Sequence, residues 1–245
     1  MKSLLKKMAN AFGYEICNLK MSHRTVEGSL NQAKAIGFHP EVIIDVGVGN
    51  GTSFLTNVFP ESQYLWIEPL AEFEPRLKAL SERFKGNYVC ACAGKERGKI
   101  LLNVSKNSIA SLEVSSSYEY ESGTHELSDM SKREVDVVTL DGLQDKYNLD
   151  RDLLLKLDVQ GAELDVLDGA RKVLTACEMV ILEVSFFGFQ KGTPEFFDAM
   201  SYMKNIGFVI YDIAGGWYRP SDGTLGQKDA LFVKENGWFR NRLKA

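Results

Sequence analysis

The sequence lacks any apolar run that approaches the roughly 18 residues needed to span a bilayer. Its opening residues, MKSLLKK, are too short an apolar stretch, and too interrupted by lysine, for a secretory signal peptide. The cysteines form no C-x-x-C pair; they are Cys17, Cys90, Cys92 and Cys177. This usage favours reduced core thiols in a cytosolic protein. We therefore expect a cytoplasmic location and no integral membrane segment.

Dense basic clusters are also missing. The chain has 29 Lys and Arg against 33 Asp and Glu, for a net charge of −4. Because nucleic-acid binding depends largely on Lys and Arg contacts to phosphates, this balance argues against a DNA or RNA partner. The length of 245 residues and the hydrophobic fraction of 44% are typical of one soluble α/β domain, and the chain is short for two.

A glycine-rich segment follows a short apolar run near position 45. Residues 42–46, VIIDV, are mostly β-branched, which predicts a buried strand. Gly47, Gly49 and Gly51 then predict a tight turn into a helix that begins near Thr52. Without Cβ atoms such a turn lets a ligand approach the backbone, and the helix start directs free N–H groups toward it. The segment is therefore a candidate nucleotide-binding loop.

The position of Asp45 distinguishes two classes of nucleotide cofactor. Dinucleotide sites commonly have glycines spaced G-x-G-x-x-G and hold a pyrophosphate. Here the third glycine comes one residue early, and Asp45 lies two positions before Gly47. A carboxylate repels a phosphate and attracts a cation. The spacing and the charge favour S-adenosylmethionine, which carries a sulfonium and an ammonium group and no phosphate.

Glu68 supplies a second cofactor signal. The apolar run 64–67 ends at this residue, seventeen positions after Gly51. A carboxylate at the end of the second strand can accept hydrogen bonds from both ribose hydroxyls, as in dinucleotide sites. The predicted cofactor-binding residues are Asp45, Gly47, Gly49, Asn50, Gly51 and Glu68. Residues 92–94, Cys-Ala-Gly, offer no acidic or amide side chain for the adenine, whose contact the sequence leaves unassigned.

Candidate catalytic residues follow two later strands. Residues 153–157, LLLKL, predict the fourth strand, which contains Lys156 and is followed by Asp158. Residues 179–182 predict the fifth strand, which ends at Glu183. Ligands of open α/β sheets bind at the carboxyl ends of strands, so both acids are expected at the ligand edge. They suit a general base or a metal site, although one of them could instead bind the cofactor's ammonium group or pair with Lys156.

The remaining elements predict the domain layout. Residues 1–40 are predicted to form an N-terminal helical cap. Its predicted elements are a helix over 4–12, a strand near 14–19 and a helix over 25–36. The first helix could rest on a membrane surface or, more commonly, cover an edge of its own domain. Residues 41–245 form the cofactor-binding domain, in which residues 98–140 insert strands 98–105 and 133–140 around a polar loop, 107–132. That loop is either an acceptor lid or a solvated loop.

The other predicted elements complete a seven-stranded sheet. Residues 88–93 predict its third strand, a single helix follows Asp158, and Thr193-Pro194 opens a later helix that Gly207 ends. Strands 208–213 and 229–234, joined by a loop over 214–228, predict a terminal antiparallel hairpin. The loop aromatics and segment 186–189 could face an acceptor or simply pack. The expected fold is α/β, with a doubly wound, mostly parallel sheet that ends in this hairpin.

The motifs, taken in order over residues 37–234, resemble the FkbM family of S-adenosylmethionine-dependent methyltransferases. They are residues 37–40 (GFHP), the glycine loop, Glu68-Pro69, residues 135–141 (VDVVTLD), residues 155–163 (LKLDVQGAE), the helix over 163–170, Glu183, and residues 229–233 (DALFV). The resemblance implies a Rossmann-like class I fold and O-methylation of a hydroxyl on a sugar, glycan, polyketide or other secondary metabolite. The family commonly has Asp-Val-Glu-Gly where this chain has Gln160. If that glutamate helps in chemistry, the role here is either weaker or lies with Asp158.

The sequence thus predicts methyl transfer from S-adenosylmethionine to a small-molecule or glycan hydroxyl. Asp158 is the predicted base, Glu183 a second acid and Lys156 a charge partner. A divalent metal held by the two acids and a substrate diol has no spacing signature here. A non-catalytic S-adenosylmethionine-binding scaffold in a glycan assembly complex is the alternative from another class. An NAD-dependent oxidoreductase is disfavoured by Asp45 and the glycine spacing.

Overall fold

The computed structural model describes residues 2–12, 25–105, 110–112, 130–188, 193–219 and 221–241. The helices of these ranges are α1 (Lys2–Ala11), α2 (Val26–Ala35), α3 (Ser53–Val58), α4 (Glu74–Arg83), α5 (Leu140–Tyr147), α6 (Glu163–Asp168), α7 (Val173–Ala176), α8 (Phe196–Asn205) and α9 (Trp238–Asn241), and a 3₁₀ helix, Ala71–Phe73, precedes α4. The strands are β1 (Val42–Val46), β2 (Gln63–Ile67), β3 (Gly86–Val89), β4 (Cys92–Ala93), β5 (Gly98–Ser105), β6 (Ala110–Leu112), β7 (Met130–Val138), β8 (Leu153–Leu157), β9 (Cys177–Ser185), β10 (Phe208–Tyr218) and β11 (Leu225–Lys234).

The main sheet has seven strands in the order β10-β11-β9-β8-β1-β2-β3. The neighbours from β9 to β3 are parallel, whereas β11 pairs antiparallel with both β9 and β10. The doubly wound, mostly parallel sheet with a terminal antiparallel hairpin is therefore confirmed. Val46 is aligned with both Ile67 of β2 and Leu157 of β8. The loops after these strands consequently meet at one sheet edge.

Helices cover both faces of this sheet. Within β1, Ile44 belongs to a buried cluster with residues of α5 to α8, and Ile43 to a cluster with residues of α2, α3, α4 and α9. Successive strand side chains point to opposite faces, so a strand between two helical layers must be apolar at nearly every position. All residues of β1 and β8 are buried, including Asp45 and Lys156. Those two charged side chains are the exceptions to the apolar pattern.

A second, four-stranded sheet, β4-β7-β5-β6, was only partly predicted. The expected third strand over 88–93 is wrong as a single element, because β3 ends at Val89 and β4 pairs with β7 instead of β2. The strand expected over 133–140 ends at Val138. Thr139 caps α5 by accepting a hydrogen bond from the N–H of Gly142 at 3.0 Å, so Leu140 begins a helix. The inserted strands therefore build a separate sheet beside the main one.

Three other boundaries differ from the sequence prediction. The single helix predicted after Asp158 is divided into two, because α6 ends at Asp168 and α7 begins at Val173. Gly169 follows α6 and packs closely on Gly94: a Cβ on Gly169 would lie 2.1 Å from the carbonyl oxygen of Gly94. Helix α8 is capped by Glu195 and Asp198 rather than opened by Thr193. Strand β9 continues past Glu183 to Ser185, because β11 pairs with it through that segment.

The terminal hairpin is longer than predicted. Most of the loop expected over 214–228 is strand, since β10 extends to Tyr218 and β11 begins at Leu225. The pairing shifts register between Ala214 and Trp217. Gly215 and Gly216 lie in that irregularity with φ of 58° and 107°. The glycines let the strand continue through a bulge where the sequence pattern favoured a loop.

The N-terminal segment contributes to the domain core. The hydroxyl of Ser29 on α2 donates to Asp212 of β10 at 2.6 Å, and Leu30 is fully buried. The strand expected near 14–19 lies outside the described residues, as does most of the predicted polar loop 107–132, of which residues 110–112 form β6. Within the described ranges, no helix has both the length and the apolar character needed to cross a membrane.

Candidate active site

The glycine loop after β1 adopts a conformation that requires glycine. Gly47, Gly49 and Gly51 have φ of 75°, 48° and 101°. A Cβ on Gly47 would lie 1.8 Å from the carbonyl oxygen of Asp158, and one on Gly51 would lie 2.4 Å from the guanidinium of Arg76. Backbone from the β8 edge therefore packs directly on the loop, and the freedom of glycine at positive φ permits this approach.

Glu68 lies at the end of β2, only 5% exposed, and binds the glycine loop. One carboxylate oxygen accepts from the N–H of Gly49 at 2.9 Å, and the other accepts from the N–H of Leu70 at 3.0 Å. Burial raises the pKa of Glu68, and the two backbone donors oppose that rise. The structure thus brings Glu68 and the loop together, with the carboxylate held rigidly beside the turn.

Asp45 and Lys156 form a buried ion pair beneath the same loop. The residues are partners in the β1–β8 register, and Nζ of Lys156 lies 3.3 Å from Oδ1 of Asp45. The ammonium also donates to the carbonyl oxygen of Gly47 at 3.0 Å and lies 3.5 Å from Oδ2 of Asp158. Burial opposes its charge, but the attraction of the two carboxylates dominates and raises the pKa of Lys156. Asp45 is therefore paired with a lysine of the chain itself.

A cavity of about 640 Å³ opens between the glycine loop and the second sheet. Its lining includes the loop with Asn50, then Glu68, Asp158 and Gln160. Asp45, Lys156 and Glu183 lie outside that lining, behind the residues that form it. An apolar wall comes from Leu70, Phe73, Cys92, Ile100 and Leu102. Cys92 belongs to β4, and Ile100 and Leu102 belong to β5, so the second sheet supplies much of this wall.

A group of carboxyl and amide side chains occupies the end of the cavity near Asp158. The side-chain amide of Gln160 donates to Oδ1 of Asp158 at 2.9 Å and to Oε2 of Glu183 at 3.2 Å. Gln227 donates to the same oxygen of Glu183 at 2.9 Å. Burial and then the charges of Asp158, Glu163 and Asp229 raise the pKa of Glu183 to about 8. The two predicted catalytic acids are therefore joined through one amide.

A family comparison identifies the chain. The model described as the methyltransferase FkbM domain matches residues 45–210, which is more than half of the sequence. The chain belongs to the FkbM methyltransferase family. Its cofactor is accordingly S-adenosylmethionine. None of the curated proteins matches this FkbM chain in sequence.

Solved structures that resemble this FkbM methyltransferase share little sequence with it. The Burkholderia thailandensis 1,6-didemethyltoxoflavin-N1-methyltransferase, solved with S-adenosylhomocysteine, is 12% identical, with 86% of this chain and 80% of that chain covered and a TM-score of 0.40. TYW2 of M. jannaschii, in complex with AdoMet, is 13% identical, with 84% and 76% covered and a TM-score of 0.39. A TehB-like SAM-dependent methyltransferase of Corynebacterium glutamicum is 12% identical, with 95% and 96% covered and a TM-score of 0.37.

The residues of this FkbM chain fit its cofactor. A ribose needs acceptors for its hydroxyls, and Glu68 is a carboxylate that lines the cavity; an adenine needs an apolar surface, and the wall beside the cavity is apolar. Gly47, Gly49 and Gly51 line the cavity, so a ligand there can approach their backbone without Cβ atoms in the way. Among the described residues, no group of three or more His, Cys, Asp and Glu side chains is arranged to hold a metal ion.

Two acidic residues near Asp158, Glu163 and Asp229, were not predicted to belong to the site of this FkbM chain. Glu163 accepts from the N–H groups of Val159 and Gly161 at 3.1 Å, so it closes the turn that carries Gln160. The spacing Gly161-x-Glu163 was a signal for such a turn-closing acid. Asp229 faces Glu183 across the β9–β11 pair, and burial with the charge of Asp158 raises its pKa to about 6. Its placement depends on hairpin register, for which the sequence carried no signal.

Proposed function

We propose that this FkbM methyltransferase transfers the methyl group of S-adenosylmethionine to a hydroxyl of a small-molecule or glycan acceptor. The observation that supports this proposal is the position of Asp158. Its side chain is 35% exposed, lines the cavity, and has Lys156 on one oxygen and Gln160 on the other. A carboxylate that is held on both sides and still open to a cavity is suited to accept a proton from a bound hydroxyl.

The cofactor-binding roles are divided along the cavity. Glu68 accepts from the ribose hydroxyls, and the backbone of Gly47, Gly49, Asn50 and Gly51 supports the middle of the ligand. Asp45 acts one layer behind, because its ion pair with Lys156 ties that lysine to the carbonyl of Gly47 and so supports the loop. The bound cofactor supplies an electrophilic methyl group on a sulfonium.

The chain's contribution to the reaction is orientation together with removal of a proton. Holding an acceptor oxygen in line with its target can supply roughly 7–11 kcal/mol of the barrier. Removal of the hydroxyl proton by Asp158, acting as the base, would raise the reaction rate by about a further 10²–10⁴-fold. The ammonium of Lys156 lies 3.5 Å from Oδ2 of Asp158 as its charge partner, and Glu183 is the second acid, joined to Asp158 through Gln160. No step in this scheme needs a metal ion.

Aromatic side chains of the β9 end and the hairpin are the proposed acceptor surface. Phe186 stacks on Phe196 with ring centroids 4.7 Å apart, and the guanidinium of Arg219 lies 4.8 Å from the Phe187 centroid. Trp217 and Tyr218 are 37% and 57% exposed. Exposed aromatic rings with polar tips are suited to bind a sugar or a polyketide ring. We propose that this surface selects the acceptor.

Two measurements test the proposal in sequence. Calorimetry with S-adenosylmethionine, S-adenosylhomocysteine and NAD should show binding of the first two and none of the third. Incubation with S-[methyl-³H]adenosylmethionine and a panel of nucleotide sugars, oligosaccharides and polyketides should then label one acceptor class on oxygen. Binding without transfer across the whole panel would support a scaffold instead, and selective binding of NAD would overturn the assignment.

A further inference from the structure

Gln160 is held in an unusual backbone conformation at the end of the cavity. It is a non-glycine residue with φ of 55°, and it precedes Gly161 with φ of 101°. Glu163 accepts from the N–H groups on both sides of it, and a Cβ on Gly161 would lie 2.4 Å from Thr193. A left-handed backbone at a glutamine is unfavourable unless its surroundings stabilise it. Here they do, and the result is a fixed direction for one side-chain amide.

That amide reaches two carboxylates at once. Nε2 of Gln160 lies 2.9 Å from Oδ1 of Asp158 and 3.2 Å from Oε2 of Glu183. A neutral donor between two acids satisfies both without adding charge. A glutamate in place of Gln160 would put a third carboxyl group between these two and would remove the donor that both of them use.

We propose that Gln160 is a positioning residue that holds the Asp158 carboxylate toward the methyl-donating end of the cofactor. The inference rests on the proposed function, which places that end beside Asp158. Oδ2 of Asp158 faces Lys156, and Gln160 is the donor on Oδ1. Without the amide, the ammonium of Lys156 draws Asp158 back toward the buried pair with Asp45.

The effect of Gln160 is directed mainly at Asp158 rather than at Glu183. Glu183 keeps a second donor, because Gln227 binds its Oε2 at 2.9 Å. The charged groups that face this cluster are Lys156 of β8, Glu163 of α6 and Asp229 of β11. All of them remain when Gln160 is replaced by methionine, which has a similar length and no donor. A change caused by Gln160→Met therefore reports the missing amide.

The preference for S-adenosylmethionine over S-adenosylhomocysteine measures this positioning without an acceptor. The first ligand carries a sulfonium charge and the second a neutral thioether, so a carboxylate held near the sulfur favours the first. Calorimetry on the full chain should show that Gln160→Met lowers this preference by about fivefold, while S-adenosylhomocysteine affinity stays within about twofold. In an Asp158→Ala background the same substitution should change the preference by less than about 1.5-fold.

Matched variants separate positioning from general damage. Gln227→Met removes the other amide donor of Glu183 and does not contact Asp158, so the preference should stay within about twofold of the unsubstituted chain. Gln160→Asn has an amide too short to reach both acids, so it should lower the preference for S-adenosylmethionine as Gln160→Met does. It is the substitute test if the methionine variant does not fold. If Gln160→Met lowered the preference for S-adenosylmethionine equally in the unsubstituted chain and in the Asp158→Ala background, the inference would be overturned. Failure of both ligands to bind the unsubstituted chain would overturn the proposed function itself.

Discussion

The ammonium of Lys156 lies 3.3 Å from a carboxylate oxygen of Asp45, and the two side chains are 6% and 1% exposed. The hydroxyl of Thr52 donates to the other oxygen of Asp45. Removing one partner of a buried ion pair leaves an uncompensated charge, whereas replacing both with apolar groups is often tolerated. This pair therefore links the stability of the chain to the geometry of its glycine loop.

The variant Lys156→Met should lose about 3–5 kcal/mol of unfolding free energy, because Asp45 is then buried without its cation. Urea unfolding followed by circular dichroism measures this loss. Lys99→Met is the matched control, since Lys99 forms an exposed pair with Glu134 and is 62% exposed. It should change stability by less than about 0.5 kcal/mol. Similar losses in both variants would contradict a special role for the buried pair.

Alanine substitutions in the glycine loop should give a graded result. Gly47→Ala places a Cβ 1.8 Å from the carbonyl oxygen of Asp158, so we expect about 3 kcal/mol or more of destabilisation and loss of S-adenosylmethionine binding. A Cβ on Gly49 would have no atom within 4 Å, so Gly49→Ala should destabilise the fold by only about 1 kcal/mol, which comes from backbone strain at φ of 48°. Urea unfolding and calorimetry measure both quantities. Equal effects at the two positions would contradict the packing of the β8 edge on the loop.

Glu68→Ala should weaken S-adenosylmethionine binding by about 10- to 100-fold, since it removes the proposed acceptor of the ribose hydroxyls and leaves the N–H groups of Gly49 and Leu70 without that carboxylate. Isothermal titration calorimetry measures the affinity. Glu72→Ala is the control, because this exposed residue pairs with Arg133 on the surface. Its affinity should stay within about twofold of the unsubstituted chain. An unchanged affinity in Glu68→Ala would remove Glu68 from the cofactor site.

Glu183→Gln should change how stability depends on pH. Burial raises the pKa of Glu183 to about 8 from an ordinary 4.5. Its contribution to stability is therefore complete below about pH 4.5 and declines as the pH rises through 8. Scanning calorimetry should therefore show that the Tm of the glutamine variant falls less between pH 5 and pH 8 than the Tm of the unsubstituted chain does. Glu61→Gln, at an exposed position, should run parallel to the unsubstituted chain. Parallel curves for Glu183→Gln would contradict the raised pKa.

Asp158→Asn should separate binding from transfer. The amide keeps the size of the carboxylate but cannot accept the acceptor's proton, so turnover should fall by about 100-fold or more. S-adenosylmethionine affinity should fall by only about fivefold, because the sulfonium loses a nearby carboxylate, and S-adenosylhomocysteine affinity should stay within about twofold. Calorimetry and a tritium-transfer assay with the labelled acceptor class measure the two quantities. Asp150→Asn, at an exposed position, should leave both unchanged. Unchanged turnover in Asp158→Asn would remove Asp158 from the role of base.

Local signals along the chain were enough to predict several of its elements. The glycine spacing after Asp45 and the acid at the end of β2 predicted the cofactor loop and Glu68. The apolar runs predicted the buried strands β1, β2, β8 and β9. These features depend on properties that neighbouring residues show on their own, namely β-branching, the absence of a Cβ, and a charge at the end of an apolar run.

Long-range pairing of the strands sets which distant residues meet. The β1–β8 register pairs Asp45 with Lys156, and pairing between β4 and β7 folds an apolar wall over the cavity. The positive φ of Gln160 then joins Asp158 to Glu183. Strand register and sheet membership depend on long-range pairing, which leaves no periodic trace in a single sequence. For that reason the buried strands and the glycine turn could be predicted from the sequence, whereas the contacts among their residues could not.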